Sequence, residues 1–195
     1  MPGFEVIGQE EINEINQIFN NGGILFRQGF ENLRNNCFKV KEFEKNFAQQ
    51  KSINYALAVS SGTAALRVAL AAIEISEGDE VITQSFTFVA TVEAIVEAKA
   101  KPIICNIDKT LNMDPEDLKN SITPRTKAVI AVHMLGVPAH IKEIREICKK
   151  NNIHLIEDTA WGCGGSLDNQ KLGTFGSVGT FSFDFAKTMT TGEGG

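Results

Sequence analysis

The sequence predicts a three-layer α/β fold in which a mostly parallel sheet lies between two layers of helices. From residue 55 onward, short apolar runs alternate with helical patterns, as repeated βα units do. The chain has 195 residues, 43% hydrophobic and 22% charged, which suits one domain or the larger part of two. Polar and glycine-containing segments follow the apolar runs, at the edge where parallel sheets bind ligands.

Residues 1–50 are predicted to form N-terminal helices and an arm. Isoleucines recur on one helical face over 9–19, and a Gly-Gly pair then ends that helix. Residues 24–36, which include Arg27, show no clear period and are predicted as an arm or loop. A second short helix is expected over 41–49, where two phenylalanines lie one turn apart.

Residues 51–195 are predicted to be part of a larger α/β domain. The expected strands are 55–59, 80–83, 102–106, 127–133, 154–157 and 179–183. Helices are expected over about 60–75, over 87–100, from an Asp-Pro-Glu start at 114, and over a segment with an isoleucine face from 141.

Composition excludes several classes of function. The net charge of −5 provides no basic surface for nucleic acid or anionic lipid. The four cysteines show neither C-x-x-C pairing nor zinc-like spacing, so we expect reduced thiols and no metal site. The N-terminus lacks the apolar core of a signal peptide, and the longest apolar stretch, 64–75, is interrupted by Arg67. We therefore expect a soluble cytoplasmic protein.

The segment Ser-Ser-Gly-Thr-Ala-Ala-Leu at 60–66 ends a predicted strand and opens a helix. Free N–H groups at a helix start can bind phosphate, and Thr63 adds a hydroxyl. The simpler interpretation is that Ser61 or Thr63 only caps the helix. Taken alone, the segment favours capping.

Asp158 directly follows the apolar strand 154–157, at the edge where a ligand is expected. An aspartate there can hold a pyridinium nitrogen protonated, which keeps the ring electron-withdrawing. A capping or turn role explains Asp158 equally well.

Three other side chains lie at the same predicted edge. Phe86 and Phe88 could stack on a flat ring, although a place in the core is the simpler interpretation of both. His133 ends another strand and is expected to be a hydrogen-bonded structural histidine rather than a group that orients a ring substituent.

Lys187 lies between an apolar strand-like run and a Gly-Glu-Gly-Gly exit. An amine beside a permissive glycine turn is well placed to form a Schiff base with an aldehyde cofactor.

These segments occur in a specific order: Ser-Gly-Thr-Ala-Ala-Leu, Thr-Phe-Val-Ala-Thr, Val-His-Met-Leu-Gly, Glu-Asp-Thr-Ala, and Ser-Phe-(x)₃-Lys with Gly-Glu-Gly-Gly. Together they resemble the pyridoxal-phosphate sugar aminotransferases of fold type I, often called the DegT/DnrJ/StrS family. The resemblance runs from about residue 4 to the last residue. It implies the large domain of that fold.

The resemblance implies pyridoxal 5′-phosphate as the cofactor, with Lys187 as the catalytic lysine that binds it and shuttles a proton. The other implied cofactor contacts are Asp158 at the pyridine nitrogen, Phe88 on the ring, and Gly62, Thr63, Ala64 and Ser182 at the phosphate. Trp161 lies where many members carry a glutamine that contacts the ring hydroxyl. Trp161 offers an N–H donor or stacking instead.

The resemblance further implies glutamate as the amino donor and a keto-sugar as the acceptor, either nucleotide-linked or a keto-sugar acid. The opening Met-Pro-Gly-Phe-Glu and the arm with Arg27 look most like the branch that makes 8-amino-3,8-dideoxy-octulosonate. A homodimer is implied for full-length members. Those members continue about as far again, so we expect a C-terminally incomplete large domain with little activity by itself.

Two alternatives stay open. A sugar dehydrase of the same family would use the same cofactor, but those enzymes carry histidine at the position of Lys187. A non-catalytic partner or regulatory protein is the other alternative. The negative charge and the lack of a basic recognition helix in the sequence give no support to DNA binding.

Overall fold

The computed structural model describes residues 2–195, and Met1, the first residue of the opening motif, lies outside them. The chain forms two compact units, one ending at Ala58 and the other comprising Val59–Gly195. Within the described part of the chain, no helix has the length and apolar character needed to cross a membrane.

The first unit contains two helices joined by an arm. Helix α1 spans Gln9–Asn20 and α2 spans Lys39–Lys51, as the apolar spacing predicts. Between them the arm contains a 3₁₀ turn, Glu31–Leu33. Arg34 is buried, donates to two backbone carbonyls of the arm, and lies 4.3 Å from the ring centroid of Phe38. One guanidinium therefore holds the arm in place without regular backbone pairing.

The predicted strand 55–59 is wrong. Residues 55–58, in the first unit, have no strand ladder, and Tyr55 is 88% exposed. In the second unit, Val59 exchanges two backbone hydrogen bonds with Gly195, at 2.9 and 3.0 Å. Apolar alternation predicts an extended segment, but a strand also requires a neighbouring segment along its whole length.

The second unit alternates strands and helices. Its helices are α3 Gly62–Ala72, α4 Val89–Glu97, α5 Pro115–Ser121 and α6 Ile141–Lys150. Its strands are β1 Glu80–Gln84, β2 Lys101–Cys105, β3 Thr126–Val132, β4 His154–Asp158, β5 Ser166–Leu167, β6 Gln170–Lys171 and β7 Val178–Thr180. A 3₁₀ turn, Met134–Gly136, follows β3.

Local chemistry explains where these helices begin. Asp114 accepts the N–H of the second helical residue of α5, and Pro115 occupies the first helical position, where a missing N–H costs nothing. In α6, Ile141, Ile144 and Ile147 are buried on one face, with charged side chains opposite.

Five strands form a parallel sheet in the order β2-β1-β3-β4-β7, while β5 and β6 form a separate antiparallel hairpin. The chain moves outward from β1 to β2 and then returns to β3 on the other side of β1. Strand order reverses at that point, and the carboxyl ends of β1 and β3 flank a crevice of the kind that binds ligands in open α/β sheets.

Alternate strand residues enter two separate apolar clusters, one on each face of the sheet. In β1, Val81 belongs to the cluster with α3 and α4, and Ile82 to the cluster with α5 and α6. In β3, Ala128 and Ile130 face the first cluster and Val129 the second. Both faces are therefore covered, and the predicted three-layer α/β architecture is confirmed.

Two differences from prediction lie near the last strands. The predicted strand 179–183 is Val178–Thr180, because the following residues leave the ladder. The β5–β6 hairpin was not predicted, since each of its strands has two residues, too few to show alternation. Its turn carries Asp168 and Asn169 with φ of 48° and 64°. The Asp-Asn pair, which tolerates such angles, is the sequence signal for this turn.

The carboxylate of Glu157, fully buried in β4, organises this edge of the sheet. Oε1 accepts the N–H groups of Phe175 and Gly176 at 2.5 and 2.7 Å, and Oε2 accepts that of Gly173 at 3.0 Å. Three charge-assisted bonds thus fasten the segment that leads into β7 to the end of β4.

His133 completes the environment of Glu157. Its Nδ1 accepts the N–H of Ala139 at 3.1 Å, so the ring proton lies on Nε2, which donates to Glu157 Oε2 at 3.1 Å. Both ring nitrogens of this buried side chain are hydrogen-bonded, so no polar atom of the ring remains for a ligand. This arrangement matches the expected structural role of His133.

We predict that Glu157→Gln lowers the free energy of unfolding by about 2–4 kcal/mol, because the amide turns an NH₂ group toward backbone donors and removes the charge. Urea denaturation measures the change. Glu146→Gln, at a side chain 70% exposed on α6, is the matched control and should stay within about 0.5 kcal/mol. Equal effects of the two substitutions would contradict the role given to Glu157.

Candidate active site

A cavity of about 370 Å³ opens at the carboxyl edge of the parallel sheet. Its volume falls in the range of small-molecule and cofactor sites. The lining residues come from the start of α3, the β1–α4 segment with the first turn of α4, the last residues of β3 and β4, and the segments that follow β4 and β7: Ser61, Gly62, Thr63, Leu66, Thr87, Phe88, Ala90, Thr91, Val132, Asp158, Ala160, Trp161, Phe181, Ser182, Asp184, Lys187, Glu193 and Gly194.

One wall is the start of α3. Ser61 is its N-cap, and its Oγ accepts the N–H of Ala64 at 3.1 Å. Ala64 does not line the cavity, whereas Gly62 and Thr63 do. A Cβ on Gly62 would lie 2.8 Å from the Cβ of Ser182, so glycine lets the helix start pack against the end of the β7 segment.

The start of α3 is therefore both capped by a side chain and exposed to the cavity. Ser61 caps α3, while the first helical residues and Ser182 face the cavity with N–H and hydroxyl donors. Such an array suits an anion such as a phosphate group.

Asp158 contributes a carboxylate that is 6% exposed. Oδ1 accepts the N–H of Ala160 at 3.1 Å, and Oδ2 accepts the hydroxyl of Thr91, also at 3.1 Å. Burial raises the pKa of Asp158 above its ordinary value, and these two donors, together with the charge of Lys187, oppose that rise. A cationic or N–H-bearing ligand would complete the carboxylate's environment.

Thr91 and Thr87 are site residues that the sequence reasoning did not assign. The Oγ1 atoms of Thr87 and Thr91 lie 2.9 Å apart, one helical turn from each other at the start of α4. Because Thr91 donates to Asp158, its oxygen accepts the hydroxyl of Thr87. The Thr-Phe-Val-Ala-Thr motif and its i, i+4 spacing were the available signals.

Lys187 is half-buried in a turn that Asp184 closes. The Asp184 side chain accepts the N–H of Ala186 at 3.0 Å, and its carbonyl accepts the N–H of Lys187 at 2.9 Å. Lys187 Nζ lies 3.9 Å from the centroid of the Trp161 ring.

Two aromatic side chains stand at the cavity, Phe88 at 63% exposure and Trp161 at 38%. Phe86, also partly exposed, does not line it. The simpler interpretation, in which both phenylalanines are core residues, is therefore wrong. Both follow the last residue of β1 and precede the first residue of α4.

Of the residues proposed for a cofactor, seven line this one cavity: Gly62, Thr63, Phe88, Asp158, Trp161, Ser182 and Lys187. Ala64 lies one residue further into α3, with its N–H engaged by Ser61.

Among residues 2–195, no group of three or more histidine, cysteine or acidic side chains is arranged to hold a metal ion. Burial raises the pKa of the Cys105 and Cys148 thiols to about 12, so neither is a nucleophile at neutral pH.

A sequence model of the DegT/DnrJ/EryC1/StrS aminotransferase family matches residues 6–195. The chain belongs to this family. The match extends over both compact units and includes every residue that lines the cavity.

Among curated proteins similar to the chain, a GDP-perosamine synthase from Vibrio cholerae is 43% identical over 157 residues. That alignment covers 80% of this chain and 43% of the relative. Among solved structures, an aminotransferase from Psychrobacter cryohalolentis superposes with a TM-score of 0.87 at 33% identity, covering 96% of this chain and 46% of its own.

A putative sugar aminotransferase from Streptococcus pneumoniae, solved in its PLP form, superposes with a TM-score of 0.88 at 26% identity. It covers 99% of this chain and 50% of its own. Aminotransferases of the DegT/DnrJ/EryC1/StrS family are PLP-dependent. The chain spans about half the length, or less, of the relatives named here.

We predict that Thr91→Val destabilises the cofactor-free chain by about 1.5–3 kcal/mol at neutral pH, because a buried carboxylate loses a hydrogen bond. The raised pKa of Asp158 means that its stabilising contribution is present below pH 3.8 and is lost as pH rises through the folded-state pKa. Without the Thr91 hydroxyl, the ionised carboxylate is less well accommodated in the folded state, and the loss of stability with rising pH is larger. The difference in unfolding free energy between Thr91→Val and the wild type should therefore shrink as acid protonates Asp158.

Denaturant titration at neutral and acidic pH measures this dependence. Thr91→Ser is the control, since it keeps the hydroxyl and should lose less than about 1 kcal/mol, for one methyl group, at either pH. A Thr91→Val variant as stable as Thr91→Ser at neutral pH would show that the bond to Asp158 contributes nothing.

Proposed function

We propose that the protein of which this chain is part or whole transfers an amino group to a keto-sugar, using pyridoxal 5′-phosphate. The observation that carries the proposal is that one amine, Lys187, and one buried carboxylate, Asp158, line the same cavity as a helix start with free donors. Family membership supports the class of reaction, since sugar aminotransferases are among the relatives.

The chemistry of the donor set fits the cofactor. Its phosphate needs N–H and hydroxyl donors, which Gly62, Thr63 and Ser182 supply. Its ring nitrogen needs a carboxylate, which Asp158 supplies, and Phe88 offers an aromatic face for the ring. When bound, the cofactor supplies an electron sink that lets an amino group leave one carbon skeleton and join another.

Lys187 has the two tasks that need an amine in this cavity. Its half-buried position and the Asp184 turn hold Nζ at the cavity wall, where it can bind an aldehyde covalently. Once free, the same nitrogen can take a proton from a substrate carbon and return it elsewhere, as general base and then general acid.

Asp158 provides a carboxyl group held in a fixed orientation. Thr91 and the N–H of Ala160 each donate to one of its oxygens, which orients the carboxylate and favours its ionised form. An ionised carboxylate in a nearly dry position stabilises positive charge on a bound ring far more than an exposed one would.

Substrates, assembly and domain organisation extend this proposal. We propose glutamate as the amino donor and a keto-sugar as acceptor, either nucleotide-linked or an acid such as 8-keto-3,8-dideoxy-octulosonate. A homodimer is proposed for the full-length protein. Residues 1–50 are proposed as N-terminal helices and an arm, and 51–195 as part of the cofactor-binding domain. Lys187 favours transamination over sugar dehydration, because dehydrases of this family carry histidine there.

We predict that Lys187→Met abolishes the visible absorption that pyridoxal phosphate acquires on joining a lysine, and lowers any transamination rate by about 10²–10⁴-fold. The reason is that methionine has similar length but no nitrogen. Absorption titration with the cofactor measures the first effect, and amino transfer from glutamate to a panel of keto-sugars measures the second.

Lys142→Met is the matched control, because Lys142 pairs with Asp168 and does not line the cavity. It should keep both signals. If Lys187→Met kept full absorption and turnover, Lys187 would not be the lysine that binds the cofactor. Loss of both signals in Lys142→Met, with both retained in Lys187→Met, would contradict the assignment equally.

A further inference from the structure

The ammonium of Lys187 lies 3.9 Å from the centroid of the Trp161 ring, close enough for a cation–π contact. Trp161 lies three residues after Asp158 and is the one tryptophan of the sequence. The family's usual glutamine at this position offers no such aromatic face.

The backbone at Trp161 is held on both sides. Before it, the N–H of Ala160 donates to Asp158 Oδ1. After it, the N–H of Gly162 donates to the carbonyl of Thr159 at 3.0 Å. A Cβ on Gly162 would lie 3.2 Å from that of His133, so the turn is packed against the sheet edge and the indole starts from a fixed point.

The backbone at Lys187 is fixed independently. The side chain and carbonyl of Asp184 accept two consecutive N–H groups, those of Ala186 and Lys187. Two separately stabilised turns therefore place the amine opposite the indole face.

Within residues 2–195, no carboxylate lies within ion-pair distance of Lys187 Nζ and no acceptor lies within hydrogen-bond distance of it. Asp158, Asp184 and Glu193 line the same cavity without reaching it. The close partner of the amine is therefore the indole ring. A cation held in this way loses freedom of movement, and the contact is worth about a 2- to 5-fold change in population at a partly exposed site.

We propose that Trp161 is a positioning residue that holds the Lys187 amine over the indole ring in the cofactor-free chain. The proposal rests on the proposed function, since it gives Lys187 its task. It assigns Trp161 to the amine rather than to the cofactor's substituents. Binding of an aldehyde at Lys187 then requires the amine to leave the indole face.

The rate at which Lys187 reacts with acetic anhydride, followed by mass spectrometry in the absence of cofactor, tests this. The lone pair of a neutral amine attacks a carbonyl of the anhydride and acetate leaves, so a nitrogen held over the ring as an ammonium, which has no lone pair, reacts more slowly. Trp161→Leu should raise the Lys187 rate about 2- to 5-fold. Trp161→Phe keeps an aromatic face and should retain part of the protection.

Lys142, remote from the cavity lining and paired with Asp168, is the internal control in every sample. Its rate should be the same in all three proteins, and a rise equal to that of Lys187 would indicate general loosening and overturn the proposal. Equal Lys187 rates in the wild type and both variants would also overturn it.

Tryptophan emission gives a second measurement that does not depend on a position-161 variant. Emission should change in Lys187→Met but not in Lys142→Met, and an unchanged spectrum in Lys187→Met would contradict the contact. Both measurements are made without cofactor. A chain that fails to bind pyridoxal phosphate would refute the proposed function while leaving these outcomes interpretable.

Discussion

The buried carboxylate of Glu157 is the interaction on which the active-site edge depends. It accepts three N–H groups from residues 173–176 and a fourth hydrogen from His133, and so joins the ends of β3 and β4 to the approach to β7. A buried charge without such partners would cost several kcal/mol. The end of β4, which carries Asp158, and the segment that leads into β7 are therefore held together by one fully hydrogen-bonded carboxylate.

This constraint explains how a ligand site can be built from short segments. Asp158 is the next residue after Glu157, so its backbone is held in place with that of Glu157. The N–H of Ala160 and the hydroxyl of Thr91 donate to the Asp158 carboxylate and set its orientation. The start of α3 then packs against Ser182 through Gly62. Side chains distant in sequence reach one cavity because parallel strands end at the same edge.

The sequence predicted the sheet, both helical layers and seven residues of the cavity lining, because apolar periodicity and strand-end motifs report directly on burial and direction. Contacts that depend on three-dimensional neighbours could not be predicted. Thr91 reaches Asp158 only because the fold brings the start of α4 beside the end of β4. Phe88 is exposed rather than in the core. The prediction of a strand at 55–59 was wrong because periodicity does not show whether a partner strand exists.

The most direct test of the central idea, that these residues form one pyridoxal-phosphate site with Lys187 as its amine, is borohydride reduction of the cofactor-treated chain followed by peptide mapping. We expect the cofactor's mass to appear on Lys187, in the peptide that contains Ser182–Gly195 or part of it. Attachment to a different lysine, or to none, would contradict the assignment of this cavity.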